Sequence, residues 1–211
     1  KKVLVQIELQ ARFDEENNIN FAEQLEAAGV QLIFGIPGLK VHSKICVIER
    51  MHKSKNRRYG FVSTGNFNES TAKIYTDYTL FTSNQKILKE VNKVFNFLEV
   101  SYRIKKYKHL IVSPHYTAST ISKLIDNEIE NHKKGLPSGI SLKLNNITNY
   151  PLVDKLYEAS QAGVKIKMIV RGICCLIPGV KGLSENITVI SVVDKFLEHP
   201  RVFIYENAGD K

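Results

Sequence analysis

The sequence predicts an α/β fold with mixed sheets, and three observations carry that reading. Short apolar runs alternate with segments of helical period in the order strand, helix, strand from the first residues onward. Two further runs face each other across one charged turn, as the antiparallel strands of a hairpin do. The strand and helix order then starts afresh after Lys108, and Ala162-Gly163-Val164 repeats the helix end, glycine and strand start of Ala28-Gly29-Val30. That echo fits either two unrelated helix-to-strand joints or two similar α/β domains. The 211 residues suffice for one large core or two modest ones. In the two-domain case the basic stretch Ser101–Lys108 is the boundary.

Val3 to Leu9 reads as a strand already under way at the first residues. Polar residues 11–18 follow, and Ile19, Phe21, Leu25 and Ala28 recur at helical spacing until Gly29 closes the helix. Residues 30–35 form a buried strand, and Pro37-Gly38 turns the chain. Val41 to Glu49 is the next strand; residues 50–58 read as a charged turn, and Tyr59 to Gly65 as the returning strand. It ends in the small-residue loop Thr64-Gly65-Asn66-Phe67-Asn68. Thr76 to Thr82 is a further strand, and Ile87, Val91, Val94, Phe95 and Leu98 mark an amphipathic helix. In the second half the same signs give a strand at 110–113, a helix at 119–130, a strand at 140–144, a helix at 152–163 and a strand at 164–170, followed by Arg171. Another strand begins near His199.

Thirty Lys and Arg against 21 Asp and Glu leave a net charge of +9, which favours anionic partners. Nucleic acid, acidic lipid, nucleotide and inorganic phosphate all meet that condition. The basic residues come in short groups, such as 53–58 and 103–108, so a folded positive cleft is expected rather than a disordered arm. The longest uninterrupted apolar run, Ile173 to Ile177, is far below the roughly 18 residues of a membrane span. Three cysteines make an odd number without metal-ligand spacing, which predicts buried thiols in a reducing compartment and sets zinc aside.

The residues able to do chemistry are few. His42 and Lys44, two apart on an expected strand, would leave the same face of the sheet. An imidazole can act as nucleophile or base, and an ammonium beside it can neutralise a phosphoryl oxygen. His-x-Lys alone describes many surface strands; its combination with the Ser63-Thr64-Gly65-Asn66 loop on the neighbouring strand favours a phosphoryl pocket. Tyr75 lies where a ring could stack on a base or simply pack at a strand edge. Arg12 and Arg171 sit at the ends of expected strands, where open α/β sheets bind ligands, and each could clamp an anion. His199 offers a second proton carrier. His52, His109, His115 and His132 lie in polar or linker contexts and read as structural or solvent-facing. Neither common glycine-rich phosphate loop is present.

Leu9 to Glu15, Pro37 to Lys44, Thr64 to Asn68, Tyr75 to Tyr78 and Leu197 to Lys211 together closely resemble the polyphosphate kinase family that works through a phosphohistidine. The resemblance covers essentially the whole chain. It implies the catalytic C-terminal part of a longer enzyme, built from two phospholipase D-like α/β domains, 1–105 carrying His42 and 106–211 carrying His199. The implied activity is reversible transfer of the terminal phosphate of ATP to inorganic polyphosphate, with Mg2+ as cofactor. His42 would be the phosphorylated nucleophile, and His199 the partner histidine that also touches the nucleotide phosphates. Tyr75 and Arg171 would contact ATP, and Arg12 would hold phosphate oxygens around the magnesium rather than ligate it. Lys44 and Asn66 match members of the His-x-Lys…Asn motif of the phospholipase D superfamily. The acidic member would fall at Glu49, a glutamate in place of aspartate, and receives no catalytic role. In the second domain the motif reads His199-x-Arg201, with arginine in the lysine position.

Two other functions share these features. A phospholipase D-like phosphodiesterase or nuclease uses the same pair of histidines but would want lysine at 201; a non-catalytic module would only bind polyanions. The family resemblance implies a cytoplasmic enzyme, a homo-oligomer at full length that associates peripherally with the inner membrane, and no nucleic-acid partner. Lys1-Lys2 opening onto a strand, and a stop soon after Tyr205, lead to the expectation of an excised piece whose second domain is incomplete and which is inactive alone.

Overall fold

The computed structural model describes residues 2–8, 15–102 and 105–210. The chain divides into two compact units, residues 1–62 with 80–110 and residues 63–79 with 111–211.

In the first unit β1 (Leu4–Ile7) and β2 (Gln31–Phe34) pair in parallel from Leu4↔Gln31 to Ile7↔Phe34. The connection is α1 (Glu15–Ala27), whose first turn carries Glu15 and Glu16 against the positive end of the helix dipole. It ends as expected at Gly29, where φ of +76° lets Val30 N donate to Leu25 O at 3.0 Å. A second sheet has the order β3 (Lys44–His52), β4 (Lys55–Ser63), β6 (Thr79–Thr82). The charged segment 50–58, expected as a turn, is mostly strand. Only Lys53 and Ser54 turn, with φ of +45° and +60°, because two successive left-handed residues match the twist of the flanking strands. The strand expected over 76–82 is interrupted at Asp77-Tyr78: Tyr75–Thr76 (β5) pairs instead with Leu197–Glu198 (β10).

Helix α3 (Gln85–Glu99) forms where the periodicity places it, capped by Asn84, whose side chain accepts from Lys86 N at 2.9 Å. It buries Leu88, Val91 and Leu98, and also Glu90. The strand expected at 110–113 is absent, and Glu90 supplies part of the reason. Its carboxylate accepts from the amides of Lys108 at 2.8 Å, His109 at 2.8 Å and Leu110 at 3.0 Å, so these donors are spent on a side chain rather than a ladder. Burial alone would raise the Glu90 pKa; the three amides and the charge of Lys93 outweigh it and hold the group below the ordinary carboxyl value. Glu90→Gln is therefore expected to cost about 2 kcal/mol at neutral pH. Because the folded-state pKa is depressed, this stabilisation is complete above the ordinary carboxyl range and is lost as pH falls through the folded value. Denaturant titrations of both proteins at pH 7 and pH 3 should show the gap closing at the lower pH.

In the second unit β7 (Ile140–Leu144), β8 (Ile166–Val170) and β9 (Ile187–Ile190) run parallel, with β11 (Val202–Tyr205) antiparallel on the free edge of β7. Helices α4 (Thr117–Lys133) and α5 (Tyr150–Gln161) cover the sheet. Alternate residues Ile140, Leu142, Ile166, Met168, Val170 and Ile187 meet Ile125, Ile129, Val153, Leu156 and Ala159 in one core. A single turn, α2 (Glu69–Ala72), is capped by Asn68, whose Oδ1 accepts from Thr71 N at 3.0 Å. β9 escapes the sequence reading because it is only four residues long in a loop-rich stretch.

The cysteines correct another expectation. Cys174 is exposed, and Cys46 and Cys175 are only partly covered. The apolar run that holds the pair is a loop whose Ile173 and Ile177 face solvent, with Leu176 alone fully inside. Among the described residues no helix is long and apolar enough to cross a membrane.

Candidate active site

In the first unit a cavity of about 530 Å³ opens where β1 and β2 end, lined by Glu8, Phe34 and residues 35–40. Glu8 Oε2 accepts from Val41 N at 2.8 Å and ties the loop down just before His42. His42 is exposed and lies two residues ahead of β3, so it does not share a strand face with Lys44 as expected. Lys44 is the first residue of the ladder, and its Nζ donates back to the His42 carbonyl at 2.7 Å. The histidine is held by its backbone while its ring stands at the surface. Arg12 lies outside the described residues. Glu49 is occupied across the hairpin by Arg58 at 2.5 Å and Asn56 at 3.0 Å, and these partners hold its pKa below the usual value. A carboxylate so engaged serves the hairpin.

The second unit builds a tighter arrangement from three distant segments. His199, 7% exposed, bonds through Nδ1 to Asp77 Oδ1 at 2.7 Å. An ionised carboxylate only accepts, so Nδ1 carries the hydrogen and Nε2 is the ring atom directed away from Asp77. Asp77 is itself fixed: Thr64 Oγ1 donates to the same Oδ1 at 2.7 Å, and Tyr78 N donates to Thr64 Oγ1 at 3.1 Å. Gly65 is buried against this carboxylate, where a Cβ would come within 2.8 Å of Asp77 Cγ, so the glycine is needed for close approach. The Tyr75 ring lies 5.2 Å from the His199 ring, tilted by 55°. The β5–β10 pairing sets that contact, because it puts Tyr75 and Thr76 opposite Leu197 and Glu198. Asn66, the other residue expected in this loop, is exposed.

Arg171 follows β8 directly, as expected. Asn145, at the end of β7, turns its side-chain oxygen to accept from Arg201 Nη2 at 2.8 Å and Arg171 Nη2 at 3.3 Å. Among the described residues, buried Arg171 Nε has no hydrogen-bond acceptor. Burial and the like charge of Arg171 push the Arg201 guanidinium below its ordinary pKa, against the opposing pull of Asp77. Two guanidinium groups brought together with an unmet donor create a demand for anionic oxygens, which a phosphate meets.

Asp77, Asn145 and the role of Arg201 were not assigned from the sequence. The Tyr75-Thr76-Asp77-Tyr78 stretch carried the signal for Asp77, but the expected acid five residues beyond Lys44 pointed to Glu49 instead. Asn145 leaves no sequence signal, since only the β7–β8 pairing brings it beside Arg171. Among the described residues no three His, Cys, Asp or Glu side chains converge to hold a metal ion.

Comparison with known proteins decides the family. The model for polyphosphate kinase C-terminal domain 1 matches residues 1–104, and that for C-terminal domain 2 matches residues 110–211. The chain belongs to the polyphosphate kinase family. It is 52% identical over its whole length to polyphosphate kinase of Escherichia coli K12 and 53% identical to that of Vibrio parahaemolyticus, covering 31% and 30% of those proteins. It thus spans about a third of the length of these curated relatives. The crystal structure of polyphosphate kinase from Porphyromonas gingivalis matches all of this chain with a TM-score of 0.86 at 40% identity, over 35% of that chain. The mixed α/β architecture is that of the polyphosphate kinase C-terminal domains.

Proposed function

We propose that this chain carries the phosphoryl-transfer centre of a polyphosphate kinase, which moves the terminal phosphate of ATP to inorganic polyphosphate through a phosphohistidine. The observation that carries the reading is the buried His199, braced by Asp77 and Tyr75, in the unit where Asn145 gathers the paired arginines Arg171 and Arg201. His42, exposed on an anchored backbone, supplies the nucleophile. A ring nitrogen of His42 bonds to the terminal phosphorus; the bond from that phosphorus to the bridging oxygen breaks, and ADP leaves with the electron pair. A terminal oxygen of polyphosphate then attacks the phosphohistidine and the P–N bond breaks, lengthening the chain by one phosphate.

Arg171 and Arg201 hold non-bridging oxygens as charge builds on them. His199 works on the nucleotide phosphates through Nε2, with Asp77 holding Nδ1 and so the orientation of the ring. Tyr75 borders the nucleotide. Lys44, Asn66 and Arg12 contribute further phosphate contacts, and Mg2+ would accompany the ATP phosphates they hold. The working protein is a cytoplasmic homo-oligomer with peripheral contact to the inner membrane.

The test is a chase experiment on the full-length protein. Incubation with ATP labelled in the terminal phosphate should give an alkali-stable, acid-labile protein phosphate and free ADP, and added polyphosphate should then collect the label. Label released as inorganic phosphate, or none bound, overturns the reading.

A further inference from the structure

The β3–β4 hairpin carries charge that the proposed reaction does not use. Its two-residue turn sets His52 opposite Lys55 and Arg50 opposite Arg57, and directly opposed residues leave the same face of a sheet. Gly60, one alternation out of step with Lys55 and Arg57, packs against β3 and α3, where an added Cβ would meet Cys46 O and, at 3.0 Å, Leu88 Cδ2; Arg58 and Gly60 are partly covered, whereas Lys55, Arg57 and Tyr59 are exposed. The face holding Arg50, His52, Lys55 and Arg57 is therefore the one away from α3. All four are exposed, as is Lys53 at the turn. The only carboxylate of the hairpin, Glu49, points to the opposite face and is taken by Arg58 and Asn56. Among the described residues, no carboxylate pairs with Arg50, His52, Lys53, Lys55 or Arg57.

We propose that this face of the hairpin is a docking surface for inorganic polyphosphate, gripping a long chain at a distance from its reacting end. The inference rests on polyphosphate being the substrate. Four unneutralised cations, Arg50, Lys53, Lys55 and Arg57, match a linear polyanion with one charge or more per repeat, and they need no shaped pocket to do so. His52 lies eight residues along β3 from Lys44, about 27 Å of strand. A chain of a few phosphates cannot touch both places; a long one can. The surface therefore selects for length.

The experiment compares the full-length protein with its R50Q/K55Q/R57Q variant, measuring affinity for long-chain polyphosphate and for tripolyphosphate by fluorescence competition at two salt concentrations. Each lost phosphate contact lowers the logarithmic salt slope by about 0.7, so three contacts remove roughly twentyfold of the affinity loss between about 50 and 200 mM salt. The variant is expected to show that reduced slope for the long chain and unchanged binding of tripolyphosphate. Equal slopes, or equal weakening of tripolyphosphate, overturn the proposal. Ile48, Tyr59 and Phe81 are also exposed, at 54%, 45% and 76%, so an acidic lipid surface is the competing partner. Loss of sedimentation with phosphatidylserine vesicles, with long-chain binding intact, likewise overturns it. A wild-type protein that binds neither polyphosphate fails the functional reading itself. Should the triple variant melt early, K53Q/K55Q at the solvent-exposed turn should change the slope in the same direction by a smaller amount.

Discussion

Replacement of His42 by alanine should leave the full-length protein folded and unable to take phosphate from ATP. The residue is exposed, so removal of the ring opens no buried cavity. The backbone that presents it is retained, because Glu8 bonds the amide of Val41 and Lys44 bonds the carbonyl of His42, neither through the imidazole. Loss of a nucleophile removes the covalent route altogether, and a fall of about 10⁴-fold or more in transfer rate is expected, or more than about 5 kcal/mol of barrier. Labelled protein partitioned under acid and alkaline conditions gives the answer directly. Acid-labile, alkali-stable phosphate retained on H42A at wild-type level assigns the nucleophile to another residue. A normal melting transition excludes unfolding as the cause of a loss.

Asp77→Asn should slow turnover about a hundredfold with little change in the KM for ATP. The asparagine has the shape of the residue it replaces. Thr64, whose own oxygen is occupied by Tyr78 N, must still give its hydroxyl hydrogen to the group at position 77. The amide oxygen therefore stays where the carboxylate oxygen was, and His199 keeps its orientation. What disappears is the negative charge 2.7 Å from Nδ1, which stabilises positive charge developing on the ring in the transition state, a contribution in the range of general acid–base assistance. A residue that only holds the fold would instead lower the melting temperature and leave the kcat of the surviving folded protein untouched. Steady-state kinetics with a thermal melt separates the two, because a loss confined to kcat marks an interaction made in the transition state.

Much of the fold was legible in the chain because its signals are local. Gly29 ends its helix with a left-handed residue, the spacing of Ile87, Val91, Val94, Phe95 and Leu98 gives α3, and alternation in Ile140–Leu144 gives β7. Errors fell where a distant partner decides. Leu110 to Ser113 looks like a strand until Glu90 takes the preceding amides. Thr76 to Thr82 looks continuous until Tyr75 and Thr76 pair with residues more than a hundred positions away. The run around Cys174 is apolar in composition and still lies in an exposed loop, since hydrophobicity does not say which residues a sheet will cover.

By itself the sequence determined which residues are candidates for the chemistry: two histidines, the His-x-Lys pattern, the glycine loop, the arginine after β8, and a basic balance suited to phosphate. These are matters of residue type and near spacing, and they also carry the family. Only the tertiary structure decided how the second histidine is held. Asp77 stands 122 positions from His199, and the two meet because β5 pairs with β10 and because Gly65 has no side chain to keep the carboxylate out. Asn145 joins Arg171 to Arg201 for a similar reason, with β7 and β8 side by side. Hydrogen bonds act over about 3 Å, and no pattern along the chain states which distant atoms will come that close.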